Sequence, residues 1–187
     1  MSRNVIAAAA SALLVVLLGA SLGASPAGAQ TSGVKTKRSA LTDTAKATVA
    51  QEVLGAVRPM FAATAKMTPD VSRFFWDTPD FAFLTPDGNI YNYADCIKLY
   101  GEFVSQLSGQ RYVIRTEKVI VLGPDQALYF WQGADDLVLK DGTVQKQDPY
   151  CGTYLYRKVN GEWRIAYGEE SGPPPTAAKP ETAPPKK

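Results

Sequence analysis

Three short turn signals divide the second half of the chain into four strand-like runs, and they constrain the fold more than any other feature. Gly123-Pro124-Asp125, Asp141-Gly142 and Asn160-Gly161 combine residues that fix φ or tolerate positive φ, so each marks a chain reversal. Between them, Arg111 to Leu122 is rich in β-branched residues, and Ala127, Tyr129 and Trp131 alternate with Leu128 and Phe130. That alternation is the period of a half-buried strand. The first half is spaced for helices instead. Val49, Val53, Val57, Met60 and Phe61 recur at three- and four-residue steps behind a Thr42-Asp43 cap, which predicts a helix over Leu41 to Lys66 that Pro59 kinks or breaks. A short helix through Phe74-Phe75-Trp76 leads into a strand at Phe81-Ala82-Phe83 and a turn at Pro86-Asp87-Gly88. Asn92 with Asp95 then caps a second helix, carrying Ile97, Tyr100, Val104 and Leu107 on one face and stopping at Gly109. Helices followed by a four-strand antiparallel meander predict an α+β domain with its helices packed on one face of a curved sheet.

The last hairpin can be read residue by residue. With Asn160-Gly161 as a two-residue loop, Val159 opposes Glu162, and counting outward pairs Lys158 with Trp163, Tyr156 with Ile165, Tyr154 with Tyr167 and Gly152 with Glu169. Directly opposed residues share a face. The face expected to look toward the helices therefore carries Tyr154, Tyr156, Trp163, Ile165, Tyr167 and Glu169, and the other carries Thr153, Leu155, Arg157, Arg164, Ala166 and Glu170.

The two ends do not read as part of this domain. Arg3, an apolar run from Val5 to Leu22 and the small residues Ala27-Gly28-Ala29 have the pattern of a signal peptide over residues 1–29, cleaved before Gln30. The mature chain would carry no membrane span and would be periplasmic or secreted. Residues 30–41 form a polar leader, the domain occupies 42–172, and 173–187, with its repeated Pro, Ala and Lys, is expected to stay extended and solvated. Charge is segregated in the same way: Asp43 to Glu170 holds 13 basic and 17 acidic residues, although the whole chain is +2. A mildly acidic domain argues against a nucleic-acid partner, and the basic tails are the parts suited to touch anionic envelope components. There is no histidine among the 187 residues, so Ser–His or Cys–His nucleophiles and imidazole metal sites are excluded, and acid–base work falls to carboxylates, Tyr or Lys. Asp135-Asp136 and Asp141 cluster around the expected hairpin tip without the spacing of a calcium loop. No metal and no cofactor is predicted.

Trp76-Asp77, Asp80-Phe81-Ala82-Phe83, Pro86-Asp87-Gly88 and the closing Tyr156-Arg157-Lys158-Val159-Asn160-Gly161-Glu162-Trp163-Arg164-Ile165 together resemble the nuclear transport factor 2-like, or SnoaL-like, superfamily. The resemblance implies a conical α+β barrel in which a strongly bent sheet wraps a helix and leaves a pocket, often dimeric through the sheet. It includes ketosteroid isomerase, scytalone dehydratase and polyketide cyclases. The isomerase's catalytic Asp positions fall on Thr85 and, approximately, Tyr154, and a His common near the end of related domains falls on Glu169. The resemblance thus implies the pocket without the known machinery. Candidate pocket residues are Tyr154, Tyr156, Tyr167, Glu169, Trp163, Asp95 and Tyr100. Cys96 and Cys151 permit one disulfide, worth roughly 4 kcal/mol on the chain-entropy account, provided a bulge near Pro149 or Gly152 brings them to one face. The first reading is a non-catalytic pocket for a small apolar or amphipathic ligand, or a homodimerising association module. The alternative is a lyase or isomerase acting on a small cyclic substrate through Tyr and Glu. A buried Glu169 facing Tyr154 across an open pocket would favour the enzyme.

Overall fold

A computed structural model describes residues 40–177. The signal-peptide and leader patterns, and the tail beyond Ala177, lie outside them. The first helix, α1 (Asp43–Ala65), is capped by Thr42, whose hydroxyl accepts the Ala45 N–H at 3.2 Å. It runs unbroken through Pro59. The carbonyl that Pro59 leaves unpaired is that of Gly55, and both residues lie on the exposed side of the helix, where water can take its place. Val49, Val53, Val57, Met60 and Phe61 form the buried stripe. A single 3-10 turn (Ser72–Phe74) stands where the short helix is predicted. The hairpin β1 (Ala82–Leu84) and β2 (Ile90–Tyr91) follows, and then α2 (Tyr93–Val104), capped by Asn92 through a 3.0 Å bond from the Asp95 N–H. This helix ends well before Gly109, because Ser105 Oγ and Gln106 Nε2 both bond the Glu102 carbonyl, and Leu107 already pairs with Leu139.

Four long strands complete the sheet: β3 (Leu107–Gly123), β4 (Gln126–Leu139), β5 (Val144–Val159) and β6 (Glu162–Ser171). Their order is β2-β1-β6-β5-β4-β3, antiparallel throughout except that β1 runs parallel to β6. This is an α+β fold with two helices against a curved, mostly antiparallel sheet. The Asn160-Gly161 turn has φ of 52° and 87°, the doubly positive pair that a two-residue hairpin needs. Extra residues bend the strands. The pairing slips on β3 at Ser108, Arg115 and Leu122, on β5 at Asp148-Pro149 and on β6 at Ala166. Arg115 reaches across β4 to Asp148 with two bonds of 2.6 and 2.7 Å, tying two of these irregularities together. Beneath them Gly133 admits no side chain, since a Cβ there would lie 1.7 Å from the Val113 carbonyl oxygen.

The chain does not leave the domain at residue 172 as predicted. Gln147 donates to the Pro173 carbonyl at 3.4 Å, and a short strand β7 (Thr176–Ala177) pairs with Gln145 and Lys146 of β5. No helix among the described residues is long and apolar enough to cross a membrane.

Candidate functional site

Between α2, the end of α1 and the inner face of the sheet lies a cavity of about 380 Å³. Its walls are mainly apolar and aromatic, including Phe61, Val71, Phe75, Phe83, Tyr112 and Leu137. Polar groups enter it from all four long strands. On β6, Glu170 accepts hydrogen bonds from Tyr154 at 2.5 Å and from Tyr150 at 2.8 Å, both from β5. On β4, Asp135 accepts one from Gln110 Nε2 of β3 at 2.8 Å. Thr85 and Asp87 stand together at the β1–β2 turn, the Thr85 hydroxyl donating to Asp87 at 2.5 Å.

Glu170, where the sequence points to Glu169, is the central correction. The predicted register holds from Val159↔Glu162 to Tyr156↔Ile165, and then Ala166 is left over, so that Leu155 meets Tyr167 and Tyr154 meets Gly168. Every residue beyond Ala166 changes face. Tyr167 and Glu169 consequently lie on the outer face, bonded to one another at 3.2 Å, and neither reaches the cavity. Gly168 now points inward, where a Cβ would lie 2.4 Å from the Phe83 ring.

The other candidates scatter. Tyr154 and Tyr100 line the cavity, the Tyr100 hydroxyl without a partner. Tyr156 is buried in the core beside Tyr129 and Ile165 but does not line the cavity. Trp163 is pinned to α1 by its 2.9 Å bond to Glu52. Asp95 is exposed and accepts the Asn92 side-chain amide at 2.8 Å, a capping role. Cys96 and Cys151 are free thiols. Cys96 lines the cavity, whereas Cys151 pairs with Gln132 and Ser171 on the outward parity of β5. The irregularity near Pro149 falls on the Gln147 side and leaves that parity unchanged, so the disulfide is not formed. Among the described residues no group of three Cys, Asp or Glu side chains could hold a metal ion.

Asp135, Gln110, Tyr150 and Glu170 are the residues that the sequence reading missed. Asp135 was legible: counting in twos from Ala127, Tyr129 and Trp131 reaches Gly133, Asp135 and Leu137 on the inner face. The electrostatics follow from burial. Desolvation, opposed by the Gln110 bond and assisted by the charges of Glu170 and Asp136, pushes the Asp135 carboxyl up to about 7. Desolvation likewise raises Glu170, against the two phenol bonds that lower it. Tyr150 and Tyr154 are driven well above the usual phenol range, first by burial and then by the Glu170 charge, so both stay protonated. Burial pushes the Cys96 thiol up to about 12.

No family model matches the sequence, and no curated protein matches it either. Solved structures do. A nuclear transport factor 2-like superfamily protein from Salmonella enterica superposes with a TM-score of 0.61 at 22% identity, over 74% of this chain and 97% of its own. Hexachlorocyclohexane dehydrochlorinase LinA-type3 from Novosphingobium barchaimii superposes at 0.62 with 11% identity, over 78% of this chain and 100% of its own. A nuclear transport factor 2-like protein of unknown function from Shewanella oneidensis gives 0.51 at 17% identity, over 65% and 97%. The fold is that of the nuclear transport factor 2-like superfamily, as the sequence resemblance implies. That fold serves enzymes and non-catalytic proteins alike.

Proposed function

We propose that this protein is a proton-transfer enzyme of the lyase or isomerase type, acting on a small, largely apolar cyclic substrate, with Glu170, Tyr150 and Tyr154 as its acid–base group. One observation carries this reading: a carboxyl held between two phenol hydroxyls in the wall of an open cavity. The glutamate that the sequence analysis names for this role, Glu169, faces outward, and Glu170, bonded directly to Tyr154 in the cavity wall, supports the reading in its place. A phenol bonded to Glu170 takes a proton from substrate carbon while passing its own to the carboxylate. The substrate is left as a stabilised anion and Glu170 as the neutral acid. Return of that proton to another carbon completes an isomerisation, and its delivery to a leaving group completes an elimination. Because both tyrosines resist ionisation, neither accumulates as phenolate, and the proton rests on Glu170.

The test is solvent-deuterium incorporation, followed by NMR, into a panel of small cyclic ketones with and without an amino substituent. Glu170→Gln should slow exchange by about 10²–10⁴-fold, while Glu169→Gln, on the outer face, leaves it unchanged. A folded protein that exchanges no member of the panel would return the cavity to a carrier role.

Two further readings belong with this one. The amino-terminal pattern supports export to the periplasm or the medium, which a mature chain beginning at Gln30 would establish. The outer face of the sheet supports a homodimer: Ile120, Leu128, Leu155 and Tyr167 are successive cross-strand partners and make a continuous apolar row over four strands.

A further inference from the structure

The cavity's polar inventory is lopsided. Asp135 and Gln110 are 3% and 8% exposed, and each keeps one acceptor, Asp135 Oδ1 and Gln110 Oε1, with no hydrogen-bond donor. An acceptor buried without a donor is costly, and native proteins seldom leave two on one interacting pair. Both residues line the cavity; their two unpaired oxygens have almost no surface of their own, so a molecule inside supplies the missing donors once the Asp135 and Gln110 side chains turn toward it. The charged side chains of the described lining are Asp87, Asp135 and Glu170, and no Lys or Arg is among them.

We infer that Asp135 and Gln110 form an anchor for the ammonium group of a ring-bearing amine, whose ring lies against the aromatic walls. An ammonium has three N–H donors and no acceptor, which matches a site holding unpaired acceptors and negative charge. A neutral hydroxyl supplies one donor and satisfies one of the two. A carboxylate or phosphate would find one free donor, the Tyr100 hydroxyl, but would bring negative charge to negative charge, with no cation to receive it. Aromatic rings in the lining, Tyr112 and Tyr150 among them, suit a cation better than an anion. Asp135 thereby becomes the positioning group and Glu170 the proton carrier, so the two carboxyls of one cavity have separate roles. This inference rests on the proton-transfer reading only in taking the cavity as the substrate site.

The experiment compares three probes of one shape, benzylamine, benzyl alcohol and benzoate, titrated into the full chain at pH 8 and followed by calorimetry and NMR. Benzylamine should bind about tenfold or more tightly than benzyl alcohol, and benzoate should not bind measurably. Asp135→Asn should remove the preference for the amine and leave benzyl alcohol within about threefold. Far-UV circular dichroism and a thermal melt establish that the variant is folded. Gln110→Leu provides a second test: it deletes one acceptor together with the amide that donates to Asp135, keeps the carboxyl itself, and should weaken benzylamine by a smaller factor than Asp135→Asn. Benzoate binding as well as benzylamine, an amine preference that survives Asp135→Asn, or a folded chain that binds none of the three would each overturn the anchor. Amine preference without deuterium exchange overturns the catalytic reading alone. Exchange without amine preference overturns the anchor alone.

Discussion

At Asp135 the chain keeps an acid where water cannot solvate its charge, and stability must then depend on pH in a defined direction. The folded carboxyl titrates near 7, above its unfolded value, so between about pH 4 and 7 the folded chain holds a proton that the unfolded chain has lost. Stability therefore falls as pH rises through that window and stops falling above it. Glu170, also raised by desolvation, acts in the same direction, and the other groups facing Asp135 are Asp136, Gln110, Tyr112 and Tyr150. Asp135→Asn should flatten part of this slope and stabilise the protein by about 2–4 kcal/mol at pH 8 relative to pH 4, read from chemical denaturation at the two pH values. An unchanged slope would mean that Asp135 is solvated. The same residue shows what a sequence can disclose. Its inward direction follows from simple alternation, whereas its isolation depends on neighbours from β3 and β6 that no local pattern specifies.

Among the elements, the hairpin closed by Asn160-Gly161 shows both sides of legibility. Its turn and its first four pairs are written in local residues, because positive φ at two successive positions selects Asn and Gly. The bulge at Ala166 is not, since an extra residue is tolerated wherever the bent sheet needs added twist, and an alanine gives no sign of it. One unannounced residue moved the glutamate of the site from 169 to 170. Gly168 is the consequence that mutation can reach: Gly168→Ala drives a methyl into the Phe83 ring, 2.4 Å away, and should cost about 1–3 kcal/mol in urea denaturation. A neutral outcome would show that Phe83 moves aside freely. The helices were legible in position and less so in extent. Pro59 ends neither α1 nor its apolar stripe because its missing bond falls on the solvent side, and α2 stops early because Ser105 and Gln106 compete for its carbonyl.

For the molecule as a whole, the sheet has a cavity behind it and an apolar row in front, so ligand binding and self-association can be tested separately. Leu155→Glu places a charge in the middle of the outer row, between Leu128 and Tyr167, and should convert a dimer to monomer in sedimentation while benzylamine affinity stays within about twofold. A native chain that sediments as a monomer at high concentration would remove the dimer. The two unbridged thiols turn this separation into a built-in pair of reporters. Cys96 opens onto the chamber and Cys151 onto the outer surface, so alkylation at alkaline pH, which the raised Cys96 thiol requires, followed by peptide mapping records the two sites separately. A molecule filling the chamber shields the first sulfur and leaves the second reacting at its old rate. Occupancy can thus be counted before the natural occupant has been identified.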